Sequence, residues 1–209
     1  MWNQFIEIMQ TCLFLFSQLY GGNFALGIMT LTLAIRLILL PLTIYLARRA
    51  LARQAILKEL QPKLERLRKR YRGKPEKLAQ ETIRLYRSHH FSLLDGYAIF
   101  GGLLQFPFFI GIYHAIRKAF SAGMNGRFLW IANIAKPDFI LAAVLASLTY
   151  LMISLGPNVS QQSQRWMLIV PVVITFAVML RFAAGYGLYW LVSNTVTIVQ
   201  TAIVRRYYK

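Results

Sequence analysis

Apolar runs at about 24–46, 97–116, 139–155, 166–183 and 186–204 alternate with shorter polar stretches along the 209 residues. A helix needs about 20 residues to cross the roughly 30 Å hydrocarbon layer of a bilayer, and these runs approach or exceed that length. The pattern predicts an all-α, polytopic membrane protein with five transmembrane helices. Ahead of them, Trp2, Phe5, Met9, Leu13, Phe16 and Tyr20 recur at helical spacing, while Asn3, Glu7, Gln10, Ser17 and Gln18 fall mostly on other faces. Residues 1–22 therefore read as an N-terminal interfacial amphipathic helix that ends at Gly21-Gly22.

The longest polar stretch, 48–95, has its own helical period. Leu57, Leu60, Leu64, Leu67 and Tyr71 recur every three or four residues, Gly73-Lys74-Pro75 interrupts, and Leu78, Thr82 and Leu85 resume. Gly suits a helix end, and Pro followed by an acidic residue suits a helix start, so the segment predicts an antiparallel helical hairpin. The expected organisation is an interfacial helix (1–22), a first span (23–47), the hairpin (48–95), four further spans (96–204) and a short tail (205–209).

Charge orients this arrangement. The chain carries 24 Lys and Arg against 7 Asp and Glu, a formal net charge of +17. Eighteen of those cations fall in 47–96, 156–165 and 205–209, whereas the segments on the opposite side hold five. The positive-inside rule then places the hairpin and C-terminus in the cytoplasm and the N-terminus outside, which an odd number of spans requires. Residues 1–20 contain no Lys or Arg and have no small-residue cleavage pattern, unlike a secretory signal. The lone Cys12 supports neither a disulfide nor a thiolate metal cluster and reads as structural. The basic hairpin could attract anionic lipid headgroups, phosphates of nucleic acid or an acidic partner, or simply enforce topology. It carries no zinc-finger spacing, RNP pattern or GXXG clamp, so sequence-specific nucleic-acid binding is not expected.

The candidate chemistry is not catalytic. The spans hold no Asp or Glu pair, His89-His90 have no nearby carboxylate or Cys, His114 is isolated, and no GxxxxGK[ST] loop is present. Neither a cofactor nor a metal is expected. What is unusual is the run FALGIMTLTLAIRLILLPLTIYL at 24–46, with Arg36 near its middle. An intramembrane Arg costs at least about 2.5–3.5 kcal/mol by insertion scales unless it meets partners or water. Thr32 and Thr43, four and seven residues away, share its helical face. Tyr189, Ser193, Thr197 and Gln200 form a similar stripe on the last span, and Gln105 precedes Phe106-Pro107 on the second. Interhelical hydrogen bonding accounts for any one of the neutral groups alone. Arg36, with no acid at membrane depth to pair it, predicts a hydrated cavity among these helices. Pro41, Pro107 and Pro171 predict kinks.

Several stretches, in order, resemble the YidC/Oxa/Alb membrane protein insertases: AIRLILLPLT, LQPKLERLRKRY, LAQETIRLYR, LLQFPFFIGIYHAI, FLWI and GLYWLVSNTVTIVQ. The resemblance runs from about residue 30 to the C-terminus and is nearest to bacterial YidC. It implies a five-helix core in the bacterial inner membrane, with a hydrophilic groove open to the cytoplasm and lipid but closed toward the outside. It implies nascent membrane proteins as clients, the bilayer as receiving phase, and the ribosome, signal recognition components and Sec translocon as further partners. Carried over by position, Arg36 is the groove cation with Thr32 one turn away. Gln105, Phe106 and Phe109 line the second span, and Tyr189 and Trp190 are the aromatic substrate-contacting pair; Thr43 and Ser193 join this group from the stripes. Segment 91–99 departs from the family pattern. The tail Arg205-Arg206-Tyr207-Tyr208-Lys209 is shorter than the basic extensions of some members, and the sequence has no counterpart of the large extracytoplasmic domain and extra N-terminal span of many relatives, so a minimal five-span form or a paralogue is expected. An anionic-solute transporter and a non-inserting scaffold are the competing expectations.

Overall fold

A computed structural model describes residues 2–89, 91, 96–154 and 161–207. The expected joint at 92–95, His90, the linker at 155–160 and the last two residues of the tail lie outside the described residues. Among the described residues the chain forms eight α-helices: α1 (Trp2–Gln18), α2 (Phe24–Ile38), α3 (Leu40–Arg70), α4 (Pro75–Ser88), α5 (Gly96–Ser121), α6 (Phe139–Ser154), α7 (Gln161–Met179) and α8 (Ala184–Tyr207). The other regular pairing is one isolated antiparallel bridge, Phe128 with Ile131.

The run expected as one helix over 24–46 is two. It ends at Ile38 and restarts at Leu40, and α2 and α3 meet at 65°. Pro41 lies in the first turn of α3. It has no N–H to continue the ladder of α2, and its ring crowds the carbonyl four residues back, so a new helix begins where a straight one would lose a bond. α3 then continues without interruption through the polar sequence to Arg70. The chain reverses at Gly73, whose φ is +85°, and α4 opens with Pro75 and Glu76. Lys63 of α3 lies 2.8 Å from His89, just past α4, so the two helices run back alongside one another.

Among the described residues, α8 is an unbroken helix long and apolar enough to cross a membrane, and α2 with α3 qualifies as a bent pair. α6 and residues 168–179 of α7 are shorter apolar helices. The core is made where α1 packs on α2 and α5, α2 on α8, and α6 on α7 and α8. Leu13, Ile28, Ile112, Ile116, Leu145 and Leu188 are fully enclosed there. Gly187 makes the α6–α8 contact possible, because a Cβ at that position would lie 2.6 Å from a methyl of Leu141. Small residues serve such close approach where hydrophobic exclusion from water is absent.

Segment 122–138 closes the end of the bundle away from α4. The Asn23 side chain accepts from Ala25 N–H at 3.0 Å, capping α2, and donates to the carbonyl of Arg127 at 3.0 Å. The carbonyls of Ile134 and Lys136 accept from Gly185 and Ala184 at 2.8 Å, fixing the start of α8. Asp138 accepts from Leu141 N–H at 2.7 Å, capping α6. Ile131 and Ile134 are buried beneath this loop.

Candidate functional site

Arg36 projects from the last turn of α2, one turn beyond Thr32. Its Nε donates to Ser193 Oγ on α8 at 2.9 Å. One terminal nitrogen donates to Gln105 Oε1 on α5 at 3.0 Å and also to Ser193 Oγ. Gln105 Nε2 in turn donates to Ser193 Oγ at 3.0 Å and to the Tyr189 hydroxyl at 3.4 Å. Three helices thus contribute to one polar layer, and among the described residues its formal charge is the guanidinium. A surface ion pair, Glu81 with Arg84, lies elsewhere, on α4. Neutral acceptors solvate the cation without cancelling it, so an incoming negative group would still be attracted. Because a guanidinium has five N–H donors and these partners engage only Nε and one terminal nitrogen, donor capacity remains.

A second polar contact lies toward α3. Thr43 Oγ1 donates to Gln200 Oε1 on α8 at 3.0 Å. Ser193 and Gln200 lie two helical turns apart on α8, and they meet Arg36 of α2 and Thr43 of α3, which stand on either side of the bend. The bend at Leu39 does not separate them. Thr32, Arg36 and Thr43 line a single cavity of about 30 Å³, together with Gln105, Phe108 and Tyr189. That volume holds about one or two waters, given that one probe sphere needs roughly 10–15 Å³. In this conformation the hydrated space expected around Arg36 is therefore narrow, because Arg36 and Gln105, which both line it, bond to one another.

Thr32 is buried and donates its hydroxyl back to Ile28 O at 2.6 Å, so it lines the cavity with its own polar group already satisfied. Tyr189 is buried, with the Phe109 ring 5.8 Å from its own. Trp190 is partly buried against the core cluster. Phe106 is 59% exposed and stands outside the cavity, whose α5 aromatic is Phe108. Helical geometry accounts for that difference. Phe108 is three residues from Gln105 and shares its face, whereas Phe106 is rotated by about 100°. The same rule could have selected Phe108. Gln200 was visible in the α8 stripe but had no assigned partner until Thr43 was placed opposite it. Thr197 donates to Ser193 O at 2.9 Å and adds no interhelical bond. Among the described residues, no group of three or more His, Cys, Asp or Glu is placed to hold a metal ion.

The family described as 60Kd inner membrane protein matches residues 15–209. The chain is 34% identical over 204 residues to membrane protein insertase YidC 2 of Listeria innocua serovar 6a, covering 93% of this chain and 68% of that one. It is 36% identical over 199 residues to membrane protein insertase MisCA of Bacillus subtilis, covering 90% and 73% respectively. To membrane protein insertase YidC of Actinobacillus succinogenes it is 31% identical over 209 residues, covering 98% of this chain and 38% of that longer one. The match embraces α2, α5 and α8, the three helices that build the polar layer. This chain belongs to the 60Kd inner membrane protein family, the YidC/Oxa/Alb group that its motifs resemble.

Proposed function

We propose that the chain is a bacterial inner-membrane insertase and chaperone. It moves short polar segments of client membrane proteins past Arg36 and releases their apolar helices into the bilayer. The observation that carries this reading is the guanidinium held between α2, α5 and α8 by the neutral Ser193 and Gln105, beside a cavity. A polar segment entering hydrocarbon loses hydration worth several kcal/mol, and a polar layer partway across shortens the apolar distance it must pass. Acidic client residues gain attraction to Arg36, while burial of the client's apolar helix supplies the driving force, about 25 cal/mol per Å². No nucleotide is hydrolysed and no catalytic residue is needed. The N-terminus lies outside, five spans cross the bilayer, and the α3–α4 hairpin and the tail face the cytoplasm. From there the hairpin receives clients from the ribosome, signal recognition components or the Sec translocon. For a client to pass, the Arg36–Ser193–Gln105 and Thr43–Gln200 contacts open, exchanging internal hydrogen bonds for bonds to the client.

Photo-crosslinkers at Thr43, Gln105 and Phe109 test the reading against a stalled nascent membrane protein. Adducts are expected at these three positions and not at Leu151, an exposed residue of α6. Equal yield at Leu151, or none at the three, would remove the groove from the mechanism. Arg36→Lys should retain most insertion, whereas Arg36→Glu should lose it by tenfold or more, about 1.4 kcal/mol, for clients with acidic translocated segments. Undiminished insertion of those clients by Arg36→Glu would exclude electrostatic attraction.

A further inference from the structure

Residues 128–131 form a tight reversal closed by two backbone bonds, Phe128 N–H to Ile131 O at 3.0 Å and Ile131 N–H to Phe128 O at 2.8 Å. Leu129 and Trp130 are its two central residues. Leu129 has φ +50°, and among the described residues it is the one non-glycine with positive φ. The first central position of such a turn ordinarily favours glycine, because an L side chain crowds its own carbonyl there. Here a leucine occupies it and is 77% exposed. An outlier held by its surroundings points to a role for what it presents.

The surroundings hold it firmly. Ile131 is buried, Gly126 packs so closely that a Cβ would lie 2.5 Å from Ala25 N, and Asn23 grips Arg127. Trp130 is 47% exposed, and its indole N–H donates to Asp138 Oδ1 at 3.0 Å. The ring can therefore enter an apolar phase without stranding its one polar atom. Because Asp138 also caps α6, this bond sets Trp130 beside the exposed Phe139 and Ile140 at the start of that helix. Arg127 and Lys136 are exposed on either side of the tip.

We infer that the Leu129-Trp130 tip is a membrane anchor that seats in the interfacial region of the leaflet opposite the hairpin. Trp130 lies at headgroup depth, Leu129 reaches toward the acyl chains, and Arg127 and Lys136 meet lipid phosphates. Tryptophan favours this zone because its ring is apolar and its edge polar, and cations near the surface gain from anionic lipid. The exposed apolar surface runs on to Phe139 and Ile140 at the start of α6 and is flanked by Arg127 and Lys136, a combination that favours lipid over a separate protein partner. The anchor holds the loop that caps α2, α6 and α8 level with the bilayer surface, and so keeps the closed end of the bundle at a fixed depth.

The test uses the full chain with Cys12→Ser, carrying Leu129→Cys labelled with an environment-sensitive fluorophore. It is reconstituted in nanodiscs of phosphatidylethanolamine and phosphatidylglycerol, where both faces meet solvent. Lys74→Cys in the hairpin turn serves as the aqueous reference. The expected result is blue-shifted emission at 129, stronger quenching by nitroxide placed shallowly in the lipid than by iodide, and the reverse order at 74. Iodide quenching at 129 equal to that at 74 would overturn the anchor. Protection from both quenchers would overturn it too, by showing that protein covers the tip. Unchanged thermal unfolding of the labelled chain confirms that the probe reports the native loop.

Discussion

At the end of the bundle closed by segment 122–138, the termini of α2, α6 and α8 are tied to a loop without a helix of its own. Its carbonyls, Asn23 and Asp138 take up donors that helix ends leave free. At the other end α3 runs out of the bundle, and α4 has no buried residue at all. The first region is held by enclosure and by backbone bonds out of water. The second is held by helix propensity, a turn and an apolar seam in which Leu60 of α3 is fully enclosed while the residues of α4 stay partly wet. The comparison shows that regular secondary structure and tight tertiary packing are separate properties in this chain, and that the irregular loop has more of the latter.

The sharpest way to break that contrast is to remove equivalent carbon from each region. Ile134 is fully enclosed in the closing segment, whereas Ile83 on α4 is exposed. Ile134→Ala should cost about 2–5 kcal/mol through the lost transfer and the cavity left behind. Ile83→Ala should cost about 1 kcal/mol or less, because a half-wet side chain gives up little on truncation. Thermal unfolding of the two variants in one detergent measures the difference. Equal destabilisation would mean that α4 is packed as firmly as the closed end.

A smaller effect separates crowding from conformation. At Gly126 a Cβ would meet backbone at 2.5 Å, whereas at Gly73 it would meet nothing within 4 Å, but φ is +85°. Gly126→Ala should cost about 1–3 kcal/mol from overpacking. Gly73→Ala should cost about 1–2 kcal/mol from the left-handed backbone. The causes separate with asparagine, which tolerates the left-handed region but is larger than alanine. Gly73→Asn should recover stability relative to Gly73→Ala, and Gly126→Asn should lose more than Gly126→Ala. Recovery at both positions would show that conformation, not space, governs the closed end.

The same division accounts for what the sequence revealed. Apolar runs and a 3.6-residue period marked the helical segments because burial against protein or lipid rewards that period directly. The polar stripes at Thr32 and Arg36 and at Ser193 and Gln200 were legible because polar groups at regular spacing on one helix must share a face, whereas Thr43 reaches the same cavity from α3, across the bend. Which stripe meets which was not legible: Arg36 with Ser193 and Gln105, and Thr43 with Gln200, depends on how α2, α5 and α8 are rotated about their axes. Phe108, by contrast, was legible: it stands three residues from Gln105 on the same face, between the expected Phe106 and Phe109. The break at Leu39 lay hidden in Pro41, which read equally well as a kink within one helix. The closed end was least visible, since its order comes from Asn23, Asp138 and backbone carbonyls far apart in sequence. Such groups leave no period.

The smallest expected effect lies at the charged end, where the solvated character of α4 can be tested without touching its seam. Arg84 and Glu81 are three residues apart with N to O 3.9 Å, and their side chains are 82% and 37% exposed. Such a pair gains little in water, loses side-chain freedom when held together, and is screened over about 10 Å at 0.1 M salt. Arg84→Ala should change unfolding stability by no more than about 0.5 kcal/mol, with even less difference at high salt. A loss approaching that of Gly73→Ala would show that the charge is fixed in a network rather than free in solvent. If the same variant also lowered client delivery while stability held, the cations of this end would act on partners, as the proposed receiving role of the hairpin requires, and not on the fold.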